Sequence, residues 1–313
     1  MYLNFGVSEK SSWQTKMFFN FLNKMRIGSE RVLGMNRRNV EFVKVLNKRR
    51  DFPLADDKVL AKEFFAKFGI PTAPTISVLS SLFETTNFHL RFLLNDFVVK
   101  PACGSQGKGI LVITDRTETG FTTISGAQLS ASKIEYELAS ILFGKYSIGR
   151  SDKILIEKRL VPSEEFESIS VQGLFDIRVI VVQGVPVGAM LRLPTVQSRG
   201  KANLHQGGIG AGVDIVTGKT TNAFHLGRLI KTHPDTNASL INFQVPHWER
   251  ILEISKVIGK HSPLRYIGVD LTIDKVMGPS VLEFNARPGL GIQNANKKGL
   301  QQLIREAFER ENS

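Results

Sequence analysis

Apolar residues recur at helical spacing in five stretches of the chain. Phe18, Phe21, Leu22 and Met25 follow i, i+3, i+4, i+7 and predict an amphipathic helix. A second helix is predicted over 56–68. Asp56 or Asp57 can cap its start, Ala61, Phe64, Phe65 and Phe68 form one stripe, and Gly69 with Pro71 ends it. The same periodicity marks 133–143, 247–258 and 299–310. Between these lie short runs rich in β-branched residues, at 97–99, 110–113, 154–156, 177–182, 185–191, 266–273 and 281–284, which predict strands. Strands and helices mixed in this order indicate an α/β or α+β enzyme-like fold. The glycine-rich stretch 200–212 is expected to be a mobile loop, and there is no internal repeat or low-complexity tract.

Composition narrows the class. A chain of 313 residues can bury a substantial core, and no apolar run approaches the length of a membrane span. The start lacks the continuous apolar region of a secretion signal. The single cysteine, Cys103, excludes an intramolecular disulfide framework and suits a reducing compartment, so a cytoplasmic location is expected. Net charge is +12, of which residues 1–50 carry +8. Such a segment can attract an acidic partner or an anionic membrane surface, or form a solvated basic face. Docking of its apolar stripe on the same protein's core is favoured, and no specific nucleic acid is expected. An oligomer is left open.

Candidate chemistry gathers at strand ends. Asp270 closes Ile267-Gly-Val-Asp, and Val281-Leu-Glu283-Phe-Asn285 places its acid and amide two residues apart, on one face of a strand. Oxygen ligands without Cys or His suit a hard cation such as Mg²⁺. Upstream, a strand ends at Lys100 and a turn carrying Gly104, Ser105, Gly107 and Gly109 leads into the next strand. Such a turn brings backbone N–H groups close to phosphate, although a plain hairpin reads the same way. The run Ile154-Leu-Ile-Glu157-Lys158-Arg-Leu160 can offer backbone groups to a base edge, with Glu164 or Glu165 beyond it for a ribose. Asp176 and Arg178 share a strand face, and Arg192 follows on the next strand. The two arginines could hold a polyphosphate or carboxylate, or Asp176 and Arg178 could form a surface ion pair. Cys103, without a paired His, reads as a small packing residue.

Taken in order, these motifs resemble the ATP-grasp superfamily. Asp57-Lys58 opens a helix ending Gly69-Ile-Pro71. Val-Lys100-Pro with its glycine loop, Ile156-Glu157, Asp176-Ile-Arg178, Arg192, Asp270 and Glu283-Phe-Asn285 follow. The wording of Ala-Asn203-Leu-His205-Gln-Gly-Gly and Asn285-Ala-Arg287-Pro-Gly289-Leu is similar to RimK-type α-L-glutamate ligases, over about residues 55–310. The resemblance implies an α+β ATP-grasp fold whose two subdomains grip ATP. Residues 1–54 would form an atypical basic helical segment and 55–313 the catalytic domain, with an ATP lid at about 97–156. It also implies an ADP-forming carboxylate–amine ligase acting on small-molecule or peptide substrates. Lys58, Lys100 and the glycine loop would contact ATP phosphates, Glu157, Lys158 and Leu160 the adenine, and Glu164 or Glu165 the ribose. Asp270, Glu283 and Asn285 would hold Mg²⁺, as a pair of ions, with Mn²⁺ an alternative. Arg178, Arg192, Asn203 and His205 would serve the reacting groups. Arg287 stands where many of these ligases have a small residue, which suggests a more acidic substrate or a carboxylate clamp, and Arg287 with Gly289 would face the substrate.

Overall fold

The computed structural model describes residues 32–88, 95–104, 107–118, 120–171 and 173–311. Among them the strands form two sheets. The smaller has the order β1 (Thr75–Leu79), β6 (Ile154–Lys158), β2 (Phe97–Pro101), β3 (Leu111–Arg116), β4 (Phe121–Thr123) and β5 (Gln128–Leu129). The larger has the order β11 (Arg228–Ile230), β10 (Thr220–His225), β9 (Ile209–Val213), β8 (Val185–Leu193), β7 (Asp176–Val182), β12 (Tyr266–Asp274) and β13 (Gly278–Asn285). Every neighbouring pair is antiparallel. Two antiparallel sheets with helices packed on them make the mixed α+β architecture expected from the sequence. The helix predicted around Phe18–Met25 lies outside the described residues. Among the described residues no helix is long and apolar enough to cross a membrane.

The central strands of the larger sheet read as nearly unbroken apolar runs because both faces are covered. Ile177, Val179 and Val181 face a core shared with the helices Lys58–Lys67 and Trp248–His261. Ile180 and Val182 face a second core, shared with Ile292, Leu300 and Ile304 of the helices Gly291–Asn296 and Leu300–Glu311. Successive side chains on a strand point to opposite faces, so two covered faces need apolar residues at every position. The smaller sheet buries one face against the helix Ala131–Leu142 through Ile134, Leu138 and Ile141. The 58–67 helix is capped by Asp57, whose Oδ1 accepts from the amides of Val59 at 2.8 Å and Leu60 at 3.3 Å.

The stretch 200–212 is not the mobile loop expected from its glycines. Its second half is β9, buried at every position between β8 and β10. A Cβ on Gly212 would stand 2.3 Å from the carbonyl oxygen of Ala295, so glycine here lets the 291–296 helix lie directly on the strand.

Residues 33–56 are woven into the larger sheet's second core. Leu33, Phe42 and Val43 are buried there beside Tyr266 and Ile292. Asn47 is buried, and its Nδ2 donates to the carbonyls of Tyr266 at 2.7 Å and Ala286 at 2.8 Å. Its Oδ1 accepts from the amides of Arg265 and Tyr266, both at 2.9 Å. Replacing Asn47 with Ala strips four backbone groups, three of them buried, of this partner. We expect Asn47→Ala to cost about 2–4 kcal/mol of stability, read as a lower urea midpoint with an unchanged slope. A loss under about 0.5 kcal/mol would mean that water serves those groups equally well.

Candidate functional site

A bulge sets the geometry of the acidic strand. Asp270 on β12 pairs with Glu283 on β13, but the next residue, Leu271, pairs with Val281, leaving Leu282 as the extra residue. The inserted residue lets Val281 and Phe284, three apart, both enter the core. Glu283 and Asn285 are then on the face that carries Asp270, and Asn285 Nδ2 lies 3.2 Å from Asp270 Oδ2 and 3.4 Å from Glu283 Oε1.

Four charged side chains interlock on β12, β7 and β8. Register places Asp270 opposite Arg178, and Asp176 opposite Arg192. Arg178 grips Asp270 with two parallel bonds, Nε to Oδ1 at 2.7 Å and Nη2 to Oδ2 at 2.6 Å. Arg192 donates through Nε to Asp176 and through Nη2 to Asp270 Oδ2 at 2.9 Å. Asp176 and Arg178 therefore do not form the surface ion pair open from sequence, because each bonds across to a neighbouring strand and is largely buried. Burial opposes ionisation of Asp270, but Arg178 and Arg192 outweigh it and hold its carboxyl below the usual range. At Asp176 burial wins, and with the negative charge of Asp270 nearby it pushes the carboxyl up to about 7, against the pull of Arg192.

Beside Glu283 opens a narrow cleft whose other wall carries the cations of the smaller sheet and of the 58–67 helix. Lys58, Lys62, Lys100 and Glu157 line it with Glu283. Glu157 is buried and takes Lys62 Nζ and Lys100 Nζ, each at 2.5 Å. Burial raises its carboxyl, but the two ammonium groups more than reverse this and leave it below its ordinary value. Lys58 Nζ donates to the carbonyl of Gly104 at 2.6 Å. An adjoining space is bounded by Lys58, Gly104, Gly107, Lys108 and Glu283, so Gly104 and Gly107 border the same region as Glu283. Lys62 is absent from the sequence-derived set. It lies one helical turn after Lys58 on the same face, which was the available signal.

The remaining expected residues fall in several places. Ser105 lies outside the described residues. Gly109 adopts φ +74°, and a Cβ there would meet the Tyr146 ring at 2.5 Å, so the loop is seated on that ring. The Lys158 amide is spent on the carbonyl of Pro74 at 2.9 Å and is not free for a base, because β6 pairs with β1 there. Leu160 is buried, whereas Glu164 and Glu165 are exposed on a short 3₁₀ turn. Asn203 caps the turn Leu204–Gln206 by accepting from the His205 amide at 3.0 Å, and the His205 side chain is exposed. Arg287 reaches Asp56 at 3.3 Å and lies over the Phe52 ring at 4.9 Å. Gly289 packs near Arg178. Cys103 is exposed and not a packing residue. Desolvation, with Asp152 and Asp57 adding to it, pushes its thiol up to about 11, which removes nucleophilic character.

Among the described residues no three His, Cys, Asp or Glu side chains converge on one point. Two carboxylates and one carboxamide do converge. Glu283 forms no ion pair among the described residues, and Asp270 Oδ1 accepts a single bond, leaving a lone pair. The two carboxylates have spare capacity that fits Mg²⁺ supplemented by phosphate and water, and Asn285, whose Nδ2 faces both of them, would join through its oxygen once its amide is turned over.

The fold resembles several solved enzymes. The D-alanine–D-alanine ligase of Bacillus anthracis complexed with ATP is 17% identical, with a TM-score of 0.44 over 83% of this chain and 67% of that one. The ATP-grasp ligase PsnB complexed with minimal precursor is 15% identical, with a TM-score of 0.41 over 100% and 77%. The biotin carboxylase of Campylobacter jejuni is 16% identical, with a TM-score of 0.46 over 81% of this chain, which spans 46% of that protein. At these identities the likeness concerns the fold alone. No curated protein matches the sequence. One family model, described as sugar-transfer associated ATP-grasp, matches residues 37–309. That span takes in both sheets and nearly all of the described chain, and the protein belongs to the sugar-transfer associated ATP-grasp family.

Proposed function

We propose that the protein is an ATP-dependent, ADP-forming carboxylate–amine ligase. The observation that carries this reading is the single cleft lined by Lys58 and Lys100 on one side and by Glu283 on the other. It offers cations for a polyphosphate next to oxygen ligands for the ion that accompanies it. A carboxylate oxygen of the acid substrate attacks the γ-phosphorus of ATP, and ADP leaves. The amine then attacks the acyl carbon, and phosphate leaves. Phosphoryl transfer of this kind rests mainly on positioning and charge neutralisation. Arg178 and Arg192 would steady the transferred group, and Asp270, Glu283 and Asn285 would hold Mg²⁺, which when bound neutralises phosphate charge. The RimK-type wording around Asn203, His205 and Asn285–Gly289 supports an amino acid such as glutamate as one substrate. The family's association with sugar transfer supports an amino sugar or uronic acid as the other. Residues 55–313 would act as the catalytic domain, in the cytoplasm.

A second reading, an ATP-binding regulator without turnover, draws on one observation. Asp270 is engaged by two guanidinium groups, which compete with a metal for its oxygens. The two readings separate in an ADP-release screen that pairs acids with amines, followed by product masses. The ligase requires ADP release only when both partners are present, whereas ATP binding with no turnover across the panel supports the regulator.

Glu283→Gln should leave the melting temperature within a degree or two and cut ADP formation by about 10²–10³-fold. Full activity in that variant would sink the proposed metal end of the site. Arg192→Met should cost about 1–3 kcal/mol, because it leaves the buried Asp176 carboxyl without its donor. Asp176→Asn combined with Arg192→Met should recover part of that loss in urea titrations, and strictly additive losses would refute the coupling.

A further inference from the structure

We propose that Lys62 is a positioning residue that frees Lys100 for the nucleotide, an inference that rests on the ATP-site reading above. Glu157 holds two ammonium groups at equal distances, Lys62 on Oε1 and Lys100 on Oε2. The two lysines are not equivalent. Lys62 also donates to the carbonyl of Ala73 and lies 3.4 Å from Thr72 Oγ1, so three acceptors hold it between the 58–67 helix and the start of the smaller sheet. Lys100 has Glu157 as its partner among the described residues. Lys100 is therefore the ammonium that can leave for an arriving phosphate, and Lys62 is the one that stays.

The departure matters because Glu157 is 4% exposed. A buried carboxylate that loses its cation is strongly destabilised. With Lys62 still on Oε1, the carboxylate remains paired after Lys100 has gone. Lys62 would thus act through Glu157 on Lys100 without touching the phosphate. Its ammonium pKa is lowered, chiefly by burial and against the pull of Glu157, so its charge is lost at a lower pH than that of an ordinary lysine.

The test is MgATP binding to the full chain by titration calorimetry, in wild type, Lys62→Met, Lys62→Arg, Glu157→Gln, the Lys62→Met/Glu157→Gln double variant and Lys100→Met. Lys62→Met should weaken MgATP binding about 10–100-fold. Lys62→Arg should stay within a few-fold of wild type. The double variant should bind like Glu157→Gln alone, because without the carboxylate there is nothing left to neutralise. Affinity in wild type should begin to fall with rising pH earlier than in Lys62→Arg, as the lysine loses its proton and the arginine does not. Lys58, Lys100, Glu157 and Glu283, the other charged groups that face the cleft, are common to both proteins. A Lys62→Met protein that melts lower yet binds MgATP like wild type would make Lys62 a structural residue only. Failure of Glu157→Gln to rescue Lys62→Met would likewise overturn the proposal. Absent binding in wild type, or unchanged binding in Lys100→Met, overturns the nucleotide assignment itself and the role of Lys62 with it.

Discussion

The two-pronged ion pair between Arg178 and Asp270 is the constraint on which the rest of the site depends. Burying either charge alone would be costly, and their pairing offsets this only when the geometry is good and the remaining lone pairs are used. Here the register of β7 against β12 supplies that geometry, and Arg192 with Asn285 uses what remains. The bulge at Leu282 is the companion requirement. Without it, Glu283 and Asn285 would turn into the core and Phe284 would turn out, since a one-residue slip inverts the faces of a strand. A backbone irregularity and a buried ion pair thus fix the same carboxylates from two directions.

The N-terminal segment extends this control to the turn after Asn285. Three consecutive residues of that turn are each held by a residue from 38–56. Asn47 holds the carbonyl of Ala286, Asp56 and Phe52 flank Arg287, and Arg38 donates to the carbonyl of Pro288 at 2.6 Å. Arg38 is itself buried, so this is not a loose surface arm. Gly289 follows and lies against Arg178. Residues 38–56, which look separable by charge, are physically one wall of the turn Ala286–Pro288.

The sequence disclosed the long elements because their periodicities are strong. The strands at 177–182, 185–191 and 266–273 and the helices near 247–258 and 299–310 all emerged within a few residues of their predicted bounds. What misled was glycine. In 209–213 its small size serves close packing against the 291–296 helix and Phe224, and composition alone cannot distinguish that from flexibility. The Leu282 bulge was likewise hidden, although Val281 and Phe284, apolar and three apart, conflict with regular alternation. Partners across strands were not legible either. Asp176 and Arg178 look like a local pair two residues apart, and only register reveals that each bonds to another strand.

Charge is divided across the cleft in a way that orients an anionic ligand. At the network end, Asp176 and Asp270 balance Arg178 and Arg192, so the buried group is close to neutral as a whole. At the other end, Lys58, Lys62 and Lys100 face one buried acid, Glu157, which leaves an excess of positive charge in a partly enclosed space where screening is weak. Glu283, without an ion pair among the described residues, borders both the main cleft and the space beside Gly104 and Gly107. A bare polyphosphate would be drawn to the lysines and repelled by Glu283. The same polyphosphate carrying a divalent cation would be attracted at both points. On the proposed ATP-site reading, Glu283 would discriminate between the metal-bound and the free nucleotide by its sign alone, before any coordination geometry is considered.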